Sequence, residues 1–124
     1  MRTILLADDD NIVHVMIRRL LGAEFHVESV FTGEEALEYL LRIREKDKLP
    51  DLILMDIRME GIQGIETCRQ IREDERLKTI PVIFITAETD PATKERCLSE
   101  GAVDYIVKPF VPRALLNSVH NAIR

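Results

Sequence analysis

A chain of 124 residues, 46% hydrophobic and 31% charged, has the composition of one soluble globular domain, long enough to bury a core without disulfides or structural metal. Its net charge of −5 lacks the basic face that nucleic acid or an anionic membrane requires, and leaves room for a basic partner or a metal cation. Cys68 and Cys97 have no paired spacing and read as reduced core thiols of a cytoplasmic protein. No apolar run approaches the roughly 18 residues of a membrane span, and the opening residues lead into a strand rather than a signal sequence.

Taken in chain order, the first predicted strand is Ile4-Leu5-Leu6-Ala7, which runs into Asp8-Asp9-Asp10. Asp10 or Asn11 caps a helix whose inward stripe is predicted as Val13, Met16, Ile17 and Leu20, leaving His14 outward. His26-Val27-Glu28-Ser29-Val30 mixes polar and apolar residues, as an edge strand does. Thr32-Gly33-Glu34-Glu35 reads as a capping box for a second helix, with Ala36, Leu37, Leu40 and Leu41 toward the core. The apolar run Leu52-Ile53-Leu54-Met55 ends in Asp56, and Gly64 precedes a third helix with Ile65, Cys68 and Ile71 inward. Val82-Ile83-Phe84-Ile85 ends in Thr86. Asp90-Pro91 starts a fourth helix as N-cap and first-turn proline, and Gly101 supplies its left-handed stop. That helix offers the core little beyond Ala92, Cys97 and Leu98, so it is expected to pack weakly and to be where a conformational response shows. A fifth strand near 103–107 carries Asp104 and runs into Lys108-Pro109; Pro112 starts the last helix, with Leu115, Leu116, Val119 and Ile123 inward.

Five β-α repeats without a linker or internal repeat predict one α/β domain over 1–124, a doubly wound parallel sheet with helices on both faces. Three wholly apolar strands between two polar edges match the flavodoxin-like order 2-1-3-4-5. Ligands of such a sheet bind beyond the carboxyl ends of its strands, at the crevice between strands 1 and 3. Asp8, Asp9 and Asp56, the Thr86 hydroxyl and the Lys108 ammonium converge there, and together suit a divalent cation and a phosphoryl group. Magnesium takes oxygen ligands, and clustered carboxylates without it raise at least one pKa. Taken singly, each residue has a plainer explanation. Asp10 is best read as a cap, Thr86 as a β-branched strand residue, Lys108 as a solvated lysine and Tyr105 as packing; the conjunction carries the reading. His14, His26 and His120 form no metal-ligand pattern and read as solvated or capping.

Four segments carry a resemblance: Ile-Leu-Leu-Ala-Asp-Asp-Asp at 4–10, Asp-Leu-Ile-Leu-Met-Asp-Ile-Arg-Met at 51–59, Val-Ile-Phe-Ile-Thr-Ala at 82–87 and Asp-Tyr-Ile-Val-Lys-Pro-Phe at 104–110. They resemble the receiver domain of bacterial two-component response regulators, over essentially the whole chain and with all five signature positions filled in order. The resemblance implies that Asp56 accepts a phosphoryl group from a phosphohistidine on a histidine kinase or histidine phosphotransfer protein of a phosphorelay. It implies Mg2+ bound directly by Asp9, Asp56 and the Arg58 backbone carbonyl, and by Asp8 through water. Thr86 and Lys108 would hold phosphoryl oxygens, and the Lys108–Pro109 bond would be cis, aiming the lysine at the site. Thr86 would move toward the phosphoryl group and Tyr105 would rotate inward, reshaping the face made by the fourth helix, fifth strand and fifth helix. A downstream target, a covalently linked output domain or a second copy would engage that face.

Arg58 and Glu88 stand where the family tunes access of water to the acyl phosphate, and are expected to pair across the site mouth and slow dephosphorylation. Three departures are visible: Glu60 replaces a usual proline, which predicts a more mobile loop, Gln63 replaces a common aspartate, and Val111 is a poor cap for the last helix. The expected chemistry is self-directed phosphoryl transfer and autodephosphorylation in the cytoplasm, not turnover of a metabolite. No direct nucleic-acid or membrane binding is expected, and no output domain is expected within residues 1–124. An Asp-nucleophile phosphatase of the haloacid-dehalogenase type needs a second acid two residues on, where Arg58 stands. A nucleotide-binding domain would need a glycine-rich turn after the first strand. A phosphorylation-independent interaction module on the same fold would be favoured by loss of Asp56 or Lys108, and both are present.

Overall fold

The apolar runs become strands because both of their faces are covered. In a computed structural model, which describes residues 1–123, the chain alternates strand and helix throughout. The order is β1 (Thr3–Ala7), α1 (Asn11–Leu21), β2 (His26–Val30), α2 (Gly33–Arg42), a short 3-10 turn (Lys46–Lys48), β3 (Leu52–Met55), α3 (Gly64–Glu73), β4 (Val82–Thr86), α4 (Pro91–Ser99), β5 (Asp104–Val107) and α5 (Pro112–Ile123). All four pairings are parallel and the sheet order is β2-β1-β3-β4-β5, as the pattern of polar edges and apolar centre predicts. Side chains alternate across the sheet. Ile4 and Leu6 join Val13, Ile17, Leu115 and Val119 under α1 and α5, while Leu5, Ala7, Ile53 and Met55 join Ala36, Leu40, Ile65 and Cys68 under α2 and α3. The register sets Ala7 beside Met55, Met55 beside Phe84 and Thr86 beside Val107, so the strand ends carrying the polar side chains lie level.

Local chemistry sets the helix ends. Asp10 caps α1 by accepting the Ile12 N–H at 2.9 Å, so of the two residues offered for that role it is Asp10 that acts. Thr32 accepts the Glu35 N–H at 3.0 Å; the Glu35 carboxylate reaches back to Phe31 N–H, one residue earlier than a standard capping box. Asp90 accepts the Ala92 N–H at 3.1 Å with Pro91 in the first turn, and Gly101 ends the α4 segment at φ +102°.

Three helix faces differ from the pattern reading. On α1 the buried residues are Val13, His14, Ile17 and Leu21, whereas Met16 is 44% exposed. At 100° per residue, the inward direction of the buried residues lies roughly 60° round from that of the predicted stripe Val13, Met16, Ile17 and Leu20. On α2, Ala36 and Leu40 are buried but Leu41 is 55% exposed. On α4 only Cys97 is buried, with Ala92 and Leu98 facing solvent. One buried thiol is a small share of the apolar area that holds the other helices, since a fully buried leucine-class side chain contributes about 1.5–3 kcal/mol.

Gly64 marks the tightest approach to the functional end of the sheet. A Cβ there would stand 2.1 Å from the Asp56 carbonyl oxygen and 3.0 Å from Ile57 Cα. Gly64→Ala is therefore expected to push α3 away from the end of β3 and cost about 1–3 kcal/mol, despite alanine's better helix propensity. Urea denaturation checks this: a midpoint equal to the wild type would show that the loop yields freely.

Candidate functional site

Lys108 sits where the ends of β1, β3 and β5 converge. Its Nζ donates to Asp8 Oδ2 at 2.8 Å and to Asp56 Oδ2 at 2.9 Å, a contact that closes across almost the whole length of the chain. Asp8, Asp9 and Asp56 each offer a carboxylate oxygen, all within 4.8 Å of one another. Asp8 and Asp56 are buried and Asp9 is exposed, so the cluster opens to solvent on the Asp9 side. Asp56 Oδ1 accepts the N–H of Ile57 at 2.7 Å, leaving the carboxylate held at both oxygens. The peptide bond between Lys108 and Pro109 is cis.

Burial is the largest influence on the Asp8 carboxyl and pushes its pKa up; the hydrogen bonds from Lys108 and Asp10 pull it back, and the Asp56 charge adds to the rise. A raised carboxyl is what the clustering predicts, but desolvation outranks mutual repulsion as the cause. For Lys108 burial pulls the pKa down, and the hydrogen bonds to Asp8 and Asp56 overcome it, so the net direction is up and the ammonium stays charged. Three carboxylates against one ammonium leave negative charge unbalanced. An all-oxygen, net-negative donor set open to water on one side fits a magnesium ion, which keeps several waters.

Beside this cluster lies an open cleft of about 230 Å³ lined by Asp56, Arg58, Thr86, Ala87, Glu88 and Thr89. Larger hollows, such as the one of about 470 Å³ between α2 and α3, bring together no such set of nucleophile, hydroxyl and cation. Thr86 is buried and its hydroxyl accepts the Glu88 N–H at 3.3 Å. Tyr105 is buried too, already turned inward, and its hydroxyl donates to the Glu88 carbonyl at 2.6 Å. Arg58 and Glu88 do pair across the mouth, Nη2 donating to Oε2 at 2.7 Å. That bond is the main reason the Glu88 carboxyl lies below its usual range and the Arg58 guanidinium above its own. The other Glu88 oxygen accepts the Asp90 N–H at 3.2 Å, which ties the pair to the N-cap of α4.

The loop after Asp56 lacks a proline at Glu60 but is tied by hydrogen bonds at three points. The Ile62 N–H donates to Glu34 at 3.1 Å, Gln63 donates to the Met59 carbonyl at 3.0 Å and the Gly64 N–H to the Ile57 carbonyl at 2.7 Å. His14 is not outward: it is 2% exposed, with Nε2 on the Asp8 carbonyl at 2.7 Å and Nδ1 on Ser29 Oγ at 2.8 Å. The periodic placement of Val13, Ile17 and Leu21 was the signal that could have turned this face inward. His26 and His120 are exposed and pair with Glu28 and Glu24.

A family model described as "Response regulator receiver domain" matches residues 4–120. The chain belongs to the response regulator receiver domain family. The phosphate regulon transcriptional regulatory protein PhoB of Rhizobium meliloti is 35% identical over 98% of this chain and 52% of its own length. The chain thus spans about half the length of the curated relatives it matches. A crystal structure of a response regulator from Chloroflexus aurantiacus superposes with a TM-score of 0.88 at 35% identity, covering 98% of this chain and 97% of that one. The receiver domain of a sensor histidine kinase from Pseudomonas aeruginosa, with a magnesium ion coordinated in its active-site cleft, superposes with a TM-score of 0.85 at 31% identity, covering 98% and 97%. The receiver is thus a signalling domain of two-component systems, with an acidic pocket of the kind that holds magnesium in that relative. Among its described residues no helix is long and apolar enough to cross a membrane.

Removing the cation from the cluster should expose its repulsion. Lys108→Met is expected to lower the metal-free stability of the receiver by about 1–3 kcal/mol, less than a fully buried pair because the lysine side chain keeps 19% exposure. The loss should shrink as magnesium is added. Thermal melts with and without magnesium check this, and equal melting temperatures in the metal-free state would contradict it.

Proposed function

We propose that residues 1–124 form a single receiver unit whose phosphoryl acceptor is Asp56. The donor in this reading is a phosphohistidine on a histidine kinase or a histidine phosphotransfer protein. The observation that supports it most is the Lys108 ammonium bridging Asp8 and Asp56, with Asp9 alongside. An Asp56 oxygen attacks phosphorus in line; a P–O bond forms as the P–N bond to the donor imidazole breaks, and the electron pair returns to that nitrogen. The transition state is loose, so the protein contributes mainly position and charge. Lys108 follows the charge onto a phosphoryl oxygen, and the Thr86 hydroxyl donates to another. Asp9, Asp56 and the Arg58 backbone carbonyl would hold magnesium directly and Asp8 through water; the bound ion supplies neutralisation of the phosphoryl oxygens. The chemistry is directed at the chain itself: an acyl phosphate forms and is later hydrolysed, with no turnover of a metabolite.

The signal in this reading is a shift between two arrangements of Thr86 and Tyr105. Both bond Glu88, which also fixes the N-cap of α4, and α4 buries only Cys97. Drawing the Thr86 hydroxyl toward a phosphoryl oxygen removes its bond to the Glu88 N–H, so the inward Tyr105 and the start of α4 must readjust. The face of α4, β5 and α5 is where a downstream target, a linked output domain or a second copy would read that change. The negative charge argues against direct nucleic-acid or membrane binding by this unit. Two free, buried thiols fit a cytoplasmic setting.

Incubation with a small acyl-phosphate donor should add one phosphoryl group by intact mass, only with magnesium, and Asp56→Asn should abolish it. A folded, magnesium-binding receiver that gains no mass would contradict the reading. The exposed Arg58 arm is expected to shield the acyl phosphate from water, so Arg58→Ala should shorten the phosphorylated lifetime severalfold. Phosphate release followed after donor removal decides this, and an unchanged lifetime would sink the shielding role.

A further inference from the structure

His14 makes contacts that neither packing nor the phosphoryl chemistry accounts for. It lies in the first turn of α1, yet its imidazole is buried and wedged between the end of β1 and Ser29 near the end of β2. Nε2 faces the Asp8 carbonyl at 2.7 Å, and a carbonyl only accepts, so Nε2 carries the proton. Nδ1 faces Ser29 Oγ at 2.8 Å, and Arg18 Nη2 donates to that same oxygen at 2.8 Å. With its lone pair engaged by Arg18, the Ser29 hydroxyl can point its proton at Nδ1. The result is a chain of donors running one way, from Arg18 through Ser29 and His14 to Asp8. Phe31 lies against the ring at a centroid distance of 4.3 Å and covers it.

The target of this chain is the peptide unit between Asp8 and Asp9. Every polar atom of Asp8 is engaged: its N–H by the Val30 carbonyl at 3.2 Å, Oδ1 by the Asp10 N–H at 2.8 Å, Oδ2 by Lys108 and its carbonyl by His14. Because the peptide is planar, fixing the direction of the Asp8 carbonyl fixes the Asp9 N–H and the start of Asp9. Asp9 is exposed, and among the described residues nothing donates a hydrogen bond or ion pair to its carboxylate. We propose that His14 is a positioning residue for magnesium, holding the Asp8–Asp9 peptide plane in its Nε2–H form so that the two carboxylates keep a common geometry. The inference rests on the receiver reading of the acidic cluster and names a residue outside the metal and phosphoryl contacts. It places the control of metal affinity partly on β2, through Ser29, whose side chain touches none of the carboxylates.

Magnesium titration of the full chain, followed by amide shifts in the metal-free and metal-bound protein, tests it. Groups that orient metal ligands typically change affinity 10–100-fold when removed. His14→Leu keeps the bulk and loses both polar atoms, and its magnesium dissociation constant is expected to rise about tenfold. His14→Gln places an amide N–H near the position of Nε2, and should stay within about threefold of the wild type. Ring nitrogen shifts of the wild type should show a protonated Nε2 and an unprotonated Nδ1, as a donor chain ending on the Asp8 carbonyl requires. An Nδ1–H ring, a His14→Leu protein with wild-type magnesium affinity, or a folded His14→Gln protein tenfold weaker would overturn the assignment. A wild-type chain that binds no magnesium would overturn the receiver reading itself, and the positioning role with it.

Discussion

Two carboxylates buried at neighbouring strand ends demand a counter-charge, and the fold is arranged to deliver one from its far edge. Taking an ionised carboxyl out of water costs several kcal/mol unless it is paired. Asp8 and Asp56 leave the sheet side by side on β1 and β3, and Lys108 comes from the loop after β5 to bridge them. No short-range contact could do this. The pairing requires β3 and β4 to be buried along their whole length, and requires the strand ends to lie level. The parallel order β2-β1-β3-β4-β5 achieves both. The bridge satisfies the site only in part, since a third carboxylate stands beside it. A receiver uses that residual negative charge.

The region around the cluster is built unevenly, and the unevenness suits a switch. Behind the cluster, Asp8 is held at all of its polar atoms, and Gly64 is pressed against the Asp56 carbonyl. In front of it, Glu88 gathers Thr86, Tyr105, Arg58 and the Asp90 cap into one group of hydrogen bonds, just ahead of a helix that buries a single side chain. A rigid wall and a lightly held lever sit on opposite sides of one carboxylate. A charge added at Asp56 therefore meets little resistance only on the α4 side. The acyl phosphate, in the proposed reading, is the charge that works that lever.

Much of this was legible in the sequence because it followed from periodicity and burial. The apolar runs ending in Asp56 and Thr86, the mixed edge at His26–Val30 and the caps at Asp10, Thr32 and Asp90 all mark their elements by local chemistry. What sequence could not settle was rotation and reach. On α1 two apolar stripes compete, one through Met16 and Leu20 and one through Ile17 and Leu21; the second is buried, together with His14, whose contacts to β1 and β2 are tertiary. Leu41 lies one step too far round α2 to reach the sheet. The loop after Asp56 lacks its usual proline, but the Glu34 carboxylate from α2 takes the Ile62 N–H and supplies a constraint that no local pattern announces. The Arg58–Glu88 pairing was foreseen from positions, whereas the convergence of Thr86 and Tyr105 on Glu88 emerged only in three dimensions.

In the proposed reading Lys108 is a movable counter-charge, shared by Asp8 and Asp56 until a phosphoryl group arrives. A crystal structure grown with magnesium and beryllium trifluoride, an acyl-phosphate mimic, tests it most directly. Beryllium is expected bonded to an Asp56 oxygen, with Lys108 Nζ and the Thr86 hydroxyl each on a fluorine. A mimic bound elsewhere, or one on Asp56 with Lys108 still bridging the two carboxylates and Thr86 still on Glu88, would contradict it.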